Sequence, residues 1–512
     1  STKETDAQTQ STTTQISAQT SSSDAKTTAP ETEVKTETET TEKAEKDLTK
    51  TTADAETAKT GTEDTTTPKT ETDAKAEETT TLKTNQKAAP AKDLAAQKTV
   101  TPAQNNYNTA DWDGSLDNTT HEYTLTGYHG ENKEDIYIPN TNDFIKAGTI
   151  SDTDKVYITK DLIQTITKAG ATSITIDDQG ADDKNKVYAK GDWSNGFASS
   201  STLKKVDLSH LDASGVTNMN NMFFNDSNLE SVNLSGTKFG NVASANAVFY
   251  QDPKLTTVNM SGTDLSHVNG ANAWFGTDSA LTNLDFSNVT FQDEITNIFI
   301  YADNNNLKNV NLTGAKNIPV DFLKAYVKAV GNSGATSIDL RGFNFDKVTD
   351  LSSWFANMPN VKSIDLSGVD LSHVTNVDDM FYNDPNLESI NLSGVKFGNV
   401  TNANAVFFKD PKLTNLDMSN VDLTNVHGIN AWFSGADNLA NINFSNTTFP
   451  EAFTDIPTAK LTSVNITGAK NIPAGLLKAY VKALGNSGAT TIDLRGFDFN
   501  KVTDLSGWFA NM

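Results

Sequence analysis

One short phrase recurs through the second half of this chain at a nearly fixed interval, and that interval limits the fold more than any other feature. Leu229-Glu-Ser-Val-Asn-Leu-Ser-Gly236 returns as Leu255-Thr-Thr-Val-Asn-Met-Ser-Gly262 and again as Leu281-Thr-Asn-Leu-Asp-Phe-Ser-Asn288. Marked by the first apolar residue of each copy, the series runs Val206, Val232, Val258, Leu284, Val310, Ile338, Ile364, Ile390, Leu416, Ile442, Val464 and Ile492. The steps are 26, 26, 26, 26, 28, 26, 26, 26, 26, 22 and 28 residues. A period of this length means a solenoid, in which each unit buries its apolar face only against its neighbours.

Within a copy such as Leu255-x-x-Val258-x-Met260 the alternation predicts a short strand, with Val258 and Met260 inward and the residue between them outward. Strands stacked at about 4.8 Å make a parallel sheet along one flank. A second apolar mark follows 17 residues later, at Phe223, Phe249, Phe275, Phe355, Phe381, Phe407, Phe433 and Phe509, and should fill the far side of the core. Two units carry a helical pattern instead, Asp321–Val330 and Ala474–Leu484. In the first, Phe322, Leu323, Tyr326, Val327 and Val330 form one stripe and Gly331 is placed to end it. A weaker relative at residues 161–177 predicts a capping unit. Above the single repeat, residues 206–358 recur as 364–512, so the array of twelve units is a duplicated block of six.

The expected fold class is therefore an α/β repeat solenoid, with a parallel β-sheet on one face and short helical or irregular segments on the other. Residues 1–105 differ in kind. The first hundred residues hold no Phe, Tyr or Trp and only Ile16, Val34, Leu48, Leu82, Leu94 and Val100 as branched aliphatics, amid Thr, Ser, Ala, Glu and Lys. Such a segment cannot offset its ordering entropy, and a disordered tail is expected there. Residues 106–200 then form an N-terminal lead-in and capping region, and residues 201–512 the solenoid. The chain begins at Ser1 without a secretory leader, and it stops at Trp508-Phe-Ala-Asn-Met512. The matching Trp354-Phe-Ala-Asn-Met358 runs on into another unit, which predicts further sequence beyond Met512.

The net charge of −24 disfavours nucleic acid and anionic membrane surfaces, since both require clustered Lys and Arg. With no cysteine, thiol chemistry and Cys-based zinc sites are excluded. No apolar run reaches the roughly 18 residues of a spanning helix. His210, His267 and His373 each follow Leu-Ser after a strand, so repeat phase spreads them along the solenoid instead of converging them. No nucleophile triad, zincin or P-loop arrangement is present, no catalytic, metal or cofactor site is expected, and the chain does not read as an enzyme.

The polar residue between the two strand apolars is the candidate binding position. It is filled by Asn233, Asn259, Asp285, Asn311, Asp339, Asp365, Asn391 and Asp417, flanked by hydroxyls such as Ser231, Thr257, Ser363 and Ser389. Such a face can hydrogen-bond glycans or peptides, or its side chains can satisfy one another up the ladder. It lacks the aromatic platform usual in carbohydrate sites. The two arginines, Arg341 and Arg495, lie at matching places in Asp-Leu-Arg-Gly-Phe. Each suits bidentate pairing with a sialate, sulfate or carboxylate of a partner, or an ion pair within the ladder.

The strand with its fixed tail, Ile364-Asp-Leu-Ser-Gly-Val-Asp-Leu-Ser-His-Val-Thr-Asn-Val-Asp-Asp-Met-Phe381, resembles the BspA-like leucine-rich-repeat surface proteins of bacteria, particularly those of Gram-positive commensals such as lactobacilli. Residues 111–139 look like the segment that precedes such arrays, and the resemblance covers about residues 106–512. It implies a leucine-rich-repeat fold, display on the extracellular cell surface at the cell wall, and adhesion to host mucin glycoprotein, extracellular matrix or a bacterial surface polymer. The chain departs from the broader pattern where an asparagine ladder is usual, placing Thr237, Thr263, Val289, Ala315, Val369 and Val395 there. The acidic chain and anionic mucin repel at neutral pH, so stronger adhesion is expected as carboxylates protonate. A structural spacer or cell–cell aggregation protein without a specific host ligand is the competing reading.

Overall fold

The computed structural model describes residues 107–177 and 182–512, so the expectation for residues 1–105 lies outside them. The alternating repeat folds as predicted, into strands of only three residues. Ser231–Asn233, Thr257–Asn259, Asn283–Asp285 and Asn309–Asn311 pair in parallel, with Val232, Val258, Leu284 and Val310 opposite one another. Three residues are too few for an isolated strand. Their stability comes from stacking, because each inward side chain is covered by its equivalents above and below.

Eleven of the twelve marked units contribute a strand, but they do not make one sheet. A seven-stranded sheet runs from Asp135–Ile138 through Ser173–Ile176 and Lys205–Asp207 to Asn309–Asn311. A six-stranded sheet then runs from Ser337–Asp339 to Ser463–Asn465. The unit expected at residues 161–177 contributes a strand to this sheet, with Ile174 opposite Val206, and Asp135–Ile138 pairs beyond it at the sheet edge. The twelfth unit departs from expectation: around Ile492 no strand forms, and Leu505, Phe509 and Met512 are exposed although their equivalents Leu351, Phe355 and Met358 are buried.

The break in the sheet coincides with a helix. Helices α1 (Thr141–Lys146) and α2 (Lys160–Lys168) belong to the N-terminal region, while α3 (Val320–Asn332) and α4 (Ala474–Asn486) replace the irregular back of a unit in each block. Helix α3 starts after Pro319 and buries Phe322, Leu323, Tyr326, Val327 and Val330, the predicted stripe. It does not stop at Gly331. A β-carbon there would lie 3.2 Å from the Met358 methyl, so this glycine makes room for packing, and Gly334 with φ +82° follows the helix end.

Behind the strands the phenylalanines form the expected row. Phe223, Phe249 and Phe275 stack at centroid separations of 5.4 and 5.5 Å, and Phe355, Phe381, Phe407 and Phe433 at 5.3, 5.6 and 5.4 Å. Sequence reading missed Phe197, which extends the first row at 4.7 Å from Phe223. Each fully buried ring contributes about 2–3 kcal/mol. Between the rows Phe322 of α3 takes the place of the next ring, 4.9 Å from Phe299. Phe509 is the exception to the predicted filling, being 49% exposed.

A third sheet, of six strands, flanks the first turns. Trp112–Asp117 and Glu122–Tyr128 form an antiparallel hairpin, followed in parallel by Lys155–Tyr157, Val187–Asp192, Asp212–Asn218 and Lys238–Phe239. At the usual asparagine-ladder corner, Thr237 and Thr263 satisfy backbone carbonyls of Leu208 and Met260, and Val369 and Val395 are simply buried. Buried polar bonding has moved to another corner, where Asp226, Asp252, Asp278, Asp384 and Asp410 are enclosed three residues before the leucine that opens each strand.

Candidate functional site: the polar strand face

The candidate binding residues lie in rows set by strand register. Asn233, Asn259, Asp285 and Asn311 are neighbours in the seven-stranded sheet. Asp339, Asp365, Asn391 and Asp417 are neighbours in the six-stranded sheet. The break at α3 separates the two rows, so the expected single carpet is two panels. Arg341 joins the second panel, whereas Arg495 lies in the last unit, outside any ladder.

Every one of these Asn and Asp side chains already has structural work. Each Oδ1 accepts the backbone N–H two residues on, at 2.8–3.1 Å, closing the turn that ends the strand. Asp207, Asn443, Asn465 and Asp493 do the same in their units. This accounts for Asn or Asp at the position: a short side chain with an acceptor two bonds from Cβ reaches that N–H with few torsions to fix. The second polar atom of each side chain remains for a neighbour or a ligand. In some units a neighbour takes it: Asn443 Nδ2 donates to Asp417 Oδ2 at 3.2 Å, and Arg341 and Arg495 take the second oxygens of Asp339 and Asp493.

The arginines are paired within their own turns. Arg341 donates from Nε and Nη2 to the two oxygens of Asp339 at 2.9 and 2.7 Å, with Asp365 Oδ2 at 3.6 Å. Arg495 makes the same fork to Asp493 at 2.9 and 2.6 Å. Like charges on adjoining strands predict raised carboxyl pKa values, but where Asp339 and Asp365 face each other the guanidinium lies between them. Asp339 is instead held below the usual carboxylate range by the Arg341 hydrogen bonds.

The flanking column that sequence reading gave as hydroxyls also holds amides, which it did not single out. Two residues before the turn-closing position, on the same face, amides link across units: Asn309 Nδ2 donates to Asn283 Oδ1 at 2.6 Å, and Asn441 Nδ2 to Asn415 Oδ1 at 2.8 Å. The signal was present in the two-residue spacing, which puts Asn283 beside Asp285 on one face. In the six-stranded panel these side chains line an open groove of about 580 Å³, with Ser363, Ser389, Asn415, Asn441 and Asp417 along it and no aromatic ring. Among the described residues no group of three or more His, Asp or Glu is placed to hold a metal ion, and no helix is long and apolar enough to cross a membrane. The arrangement can exchange hydrogen bonds with an extended polar partner.

The family model described as "Mycoplasma protein of unknown function, DUF285" matches residues 183–311 and 324–447, just under half of the chain, with its gap at the start of α3. No curated protein matches the chain. Among solved structures it is similar to a leucine-rich repeat protein from Bacteroides ovatus, at 14% identity over 75% of this chain and 98% of that one, with TM-score 0.29. A leucine-rich repeat protein from Eubacterium ventriosum matches at 13% identity over 72% of this chain and 96% of that one, with TM-score 0.18. The Toll–Spatzle complex of Drosophila matches at 11% identity over 70% of this chain and 51% of that one, with TM-score 0.27. The parallel ladders described above, not these likenesses, establish that the chain is a repeat solenoid.

Proposed function

We propose that this chain is a non-catalytic adhesin of the bacterial cell surface, of the Gram-positive, lactobacillus type, whose solenoid face binds mucin glycoprotein, extracellular matrix or a bacterial surface polymer. The observation that carries the reading is the groove along Ser363, Ser389, Asn415 and Asn441, where one polar side chain per unit repeats in register with the strands. A polymer with its own repeat can meet such a surface at several units, so weak hydrogen bonds add by avidity. Net charge sets the pH dependence. At −24 the chain repels sialate and sulfate at neutral pH, and protonation below about pH 5 weakens the repulsion. Binding of the full chain to immobilised mucin should therefore be stronger at about pH 4–5 than at pH 7, with part of the difference recovered by salt screening over about 8–10 Å.

A second reading is favoured by a different observation. The turn-closing Asn and Asp residues and both arginines are already bonded inside the protein, as a surface spacer without a ligand requires. Absence of binding to mucin, matrix and bacterial wall polymers across pH 4 to 7.5, with the fold intact, would select the spacer.

A further inference from the structure

Besides Asp321 in the first turn of α3, five carboxyl groups arranged in two rows lie in surroundings that disfavour a carboxylate. Asp226, Asp252 and Asp278 in the first block, and Asp384 and Asp410 in the second, are at most 1% exposed. In each, Oδ1 accepts one backbone N–H from the preceding unit at 2.6–2.9 Å. The donors are Ser200, Asp226 and Asp252 in the first row, and Met358 and Asp384 in the second. In all five the other oxygen, Oδ2, is buried without a hydrogen-bond partner.

An ionised carboxylate spreads its charge over two oxygens and requires several donors when removed from water. Here one oxygen has a single donor and the other has none. The titratable groups facing each carboxyl are its neighbours in the row: Asp252 lies between Asp226 and Asp278, and Asp384 beside Asp410. Among the described residues no Lys, Arg or His forms an ion pair with any of the five. At the corner after Asp410 the row ends on the buried side chain of Ala436. Protonation turns an unpartnered charge into an unpartnered hydroxyl, which burial penalises far less.

We propose that the two rows are neutral carboxylic acids at neutral pH, and that they make the solenoid an acid-tightened stack whose corners at Asp226–Asp278 and Asp384–Asp410 loosen first as pH rises. Burial pushes Asp226, Asp278 and Asp384 up to about 8 and Asp410 to about 7, while burial and then the two flanking carboxyls push Asp252 to about 10. The direction of the linkage follows. Between the unfolded value near 3.8 and these folded values, the native state holds protons that the unfolded chain has released. Stability from the rows is therefore complete below about pH 4 and falls as pH rises through about 8. Surface carboxylates such as Asp264, Asp370 and Asp422 have the opposite slope: Ser or Thr hydrogen bonds lower them, so their contribution is lost only as pH falls below the ordinary range. A window from pH 5 to 9 separates the rows from these surface carboxylates; Asp321, which burial pushes up to about 6, titrates in the same window and is common to the wild type and the variant.

The test is thermal unfolding of the full chain across that window, beside the variant carrying Asp226→Asn, Asp252→Asn and Asp278→Asn. Asn keeps the Oδ1 acceptor and cannot ionise. The wild-type melting temperature should fall by on the order of 10 °C from pH 5 to pH 9, and the triple variant by less than half of that. An infrared band of protonated carboxyl groups should persist in the folded wild type at pH 7 and weaken in the variant. Should the variant fail to fold, the wild-type band decides alone. Absence of that band at pH 7, or an unchanged slope in the folded variant, would overturn the proposal.

Discussion

Replacing Phe381 by Ala tests whether the ring row holds the stack together. Phe381 is fully buried and lies between Phe355 and Phe407, whose ring centroids are 5.3 and 5.6 Å away. Truncation removes the ring's burial and leaves a cavity that neighbouring backbones cannot close, at a cost of about 3–5 kcal/mol. The two stacked contacts, each worth roughly 0.5–1.5 kcal/mol, place the expected value in the upper half of that range. Since units are held only by their neighbours, the loss falls on both interfaces of this unit. Urea unfolding of the full chain gives the total, and hydrogen exchange over residues 355–433 locates it. Two controls sharpen the comparison. Phe509→Ala alters the same repeat position where the ring is 49% exposed, and it should cost less than about 1 kcal/mol. Asn391→Ser leaves a hydroxyl able to accept the Ser393 N–H, and it should cost about 0.5 kcal/mol or less. If Phe381→Ala were no more damaging than these two, the assignment of the ring row to the core would fail.

Three other perturbations have defined outcomes. A β-carbon on Gly398 would lie 1.9 Å from the Ser372 carbonyl oxygen, so Gly398→Ala should destabilise by about 1–3 kcal/mol or more in urea melts. A silent substitution would contradict the close approach of these backbones. Trp274 donates its indole N–H to the Ala245 carbonyl at 2.7 Å, and Trp274→Phe, which leaves that buried oxygen unpaired, should cost about 1–3 kcal/mol by thermal unfolding. Removing the cation between Asp339 and Asp365 with Arg341→Gln should move the Asp339 titration to higher pH in carboxyl-carbon NMR, and an unmoved titration would refute the ion-pair assignment.

The repeat, the inward residues and the ring row were legible because each rests on a strict period of apolar side chains. Val232, Val258 and Phe249 could only be inside if residues 26 apart stack. What was not legible depends on hydrogen bonding. Asp252 in Gln-Asp-Pro-Lys has the composition of a solvated loop, and only its recurrence at a 26-residue step set it apart from surface acids such as Asp264. Asn391 looked available for a ligand because sequence shows which face a side chain occupies, not whether its acceptor is already used. The break between Asn311 and Ser337 did leave a trace that was not read as one: the step from Val310 to Ile338 is 28 residues instead of 26, and α3 lies between the two strands.

Nearly all the bonds between units, from Val232 opposite Val258 to the Asx corners, run along the solenoid axis. A tensile force applied to the two ends would pull directly on those bonds one layer at a time, instead of shearing long strands past each other. Each layer that detached would release 26 residues, about 85 Å of extended chain, from a layer only about 4.8 Å thick. Such a stack lengthens in discrete steps under strain.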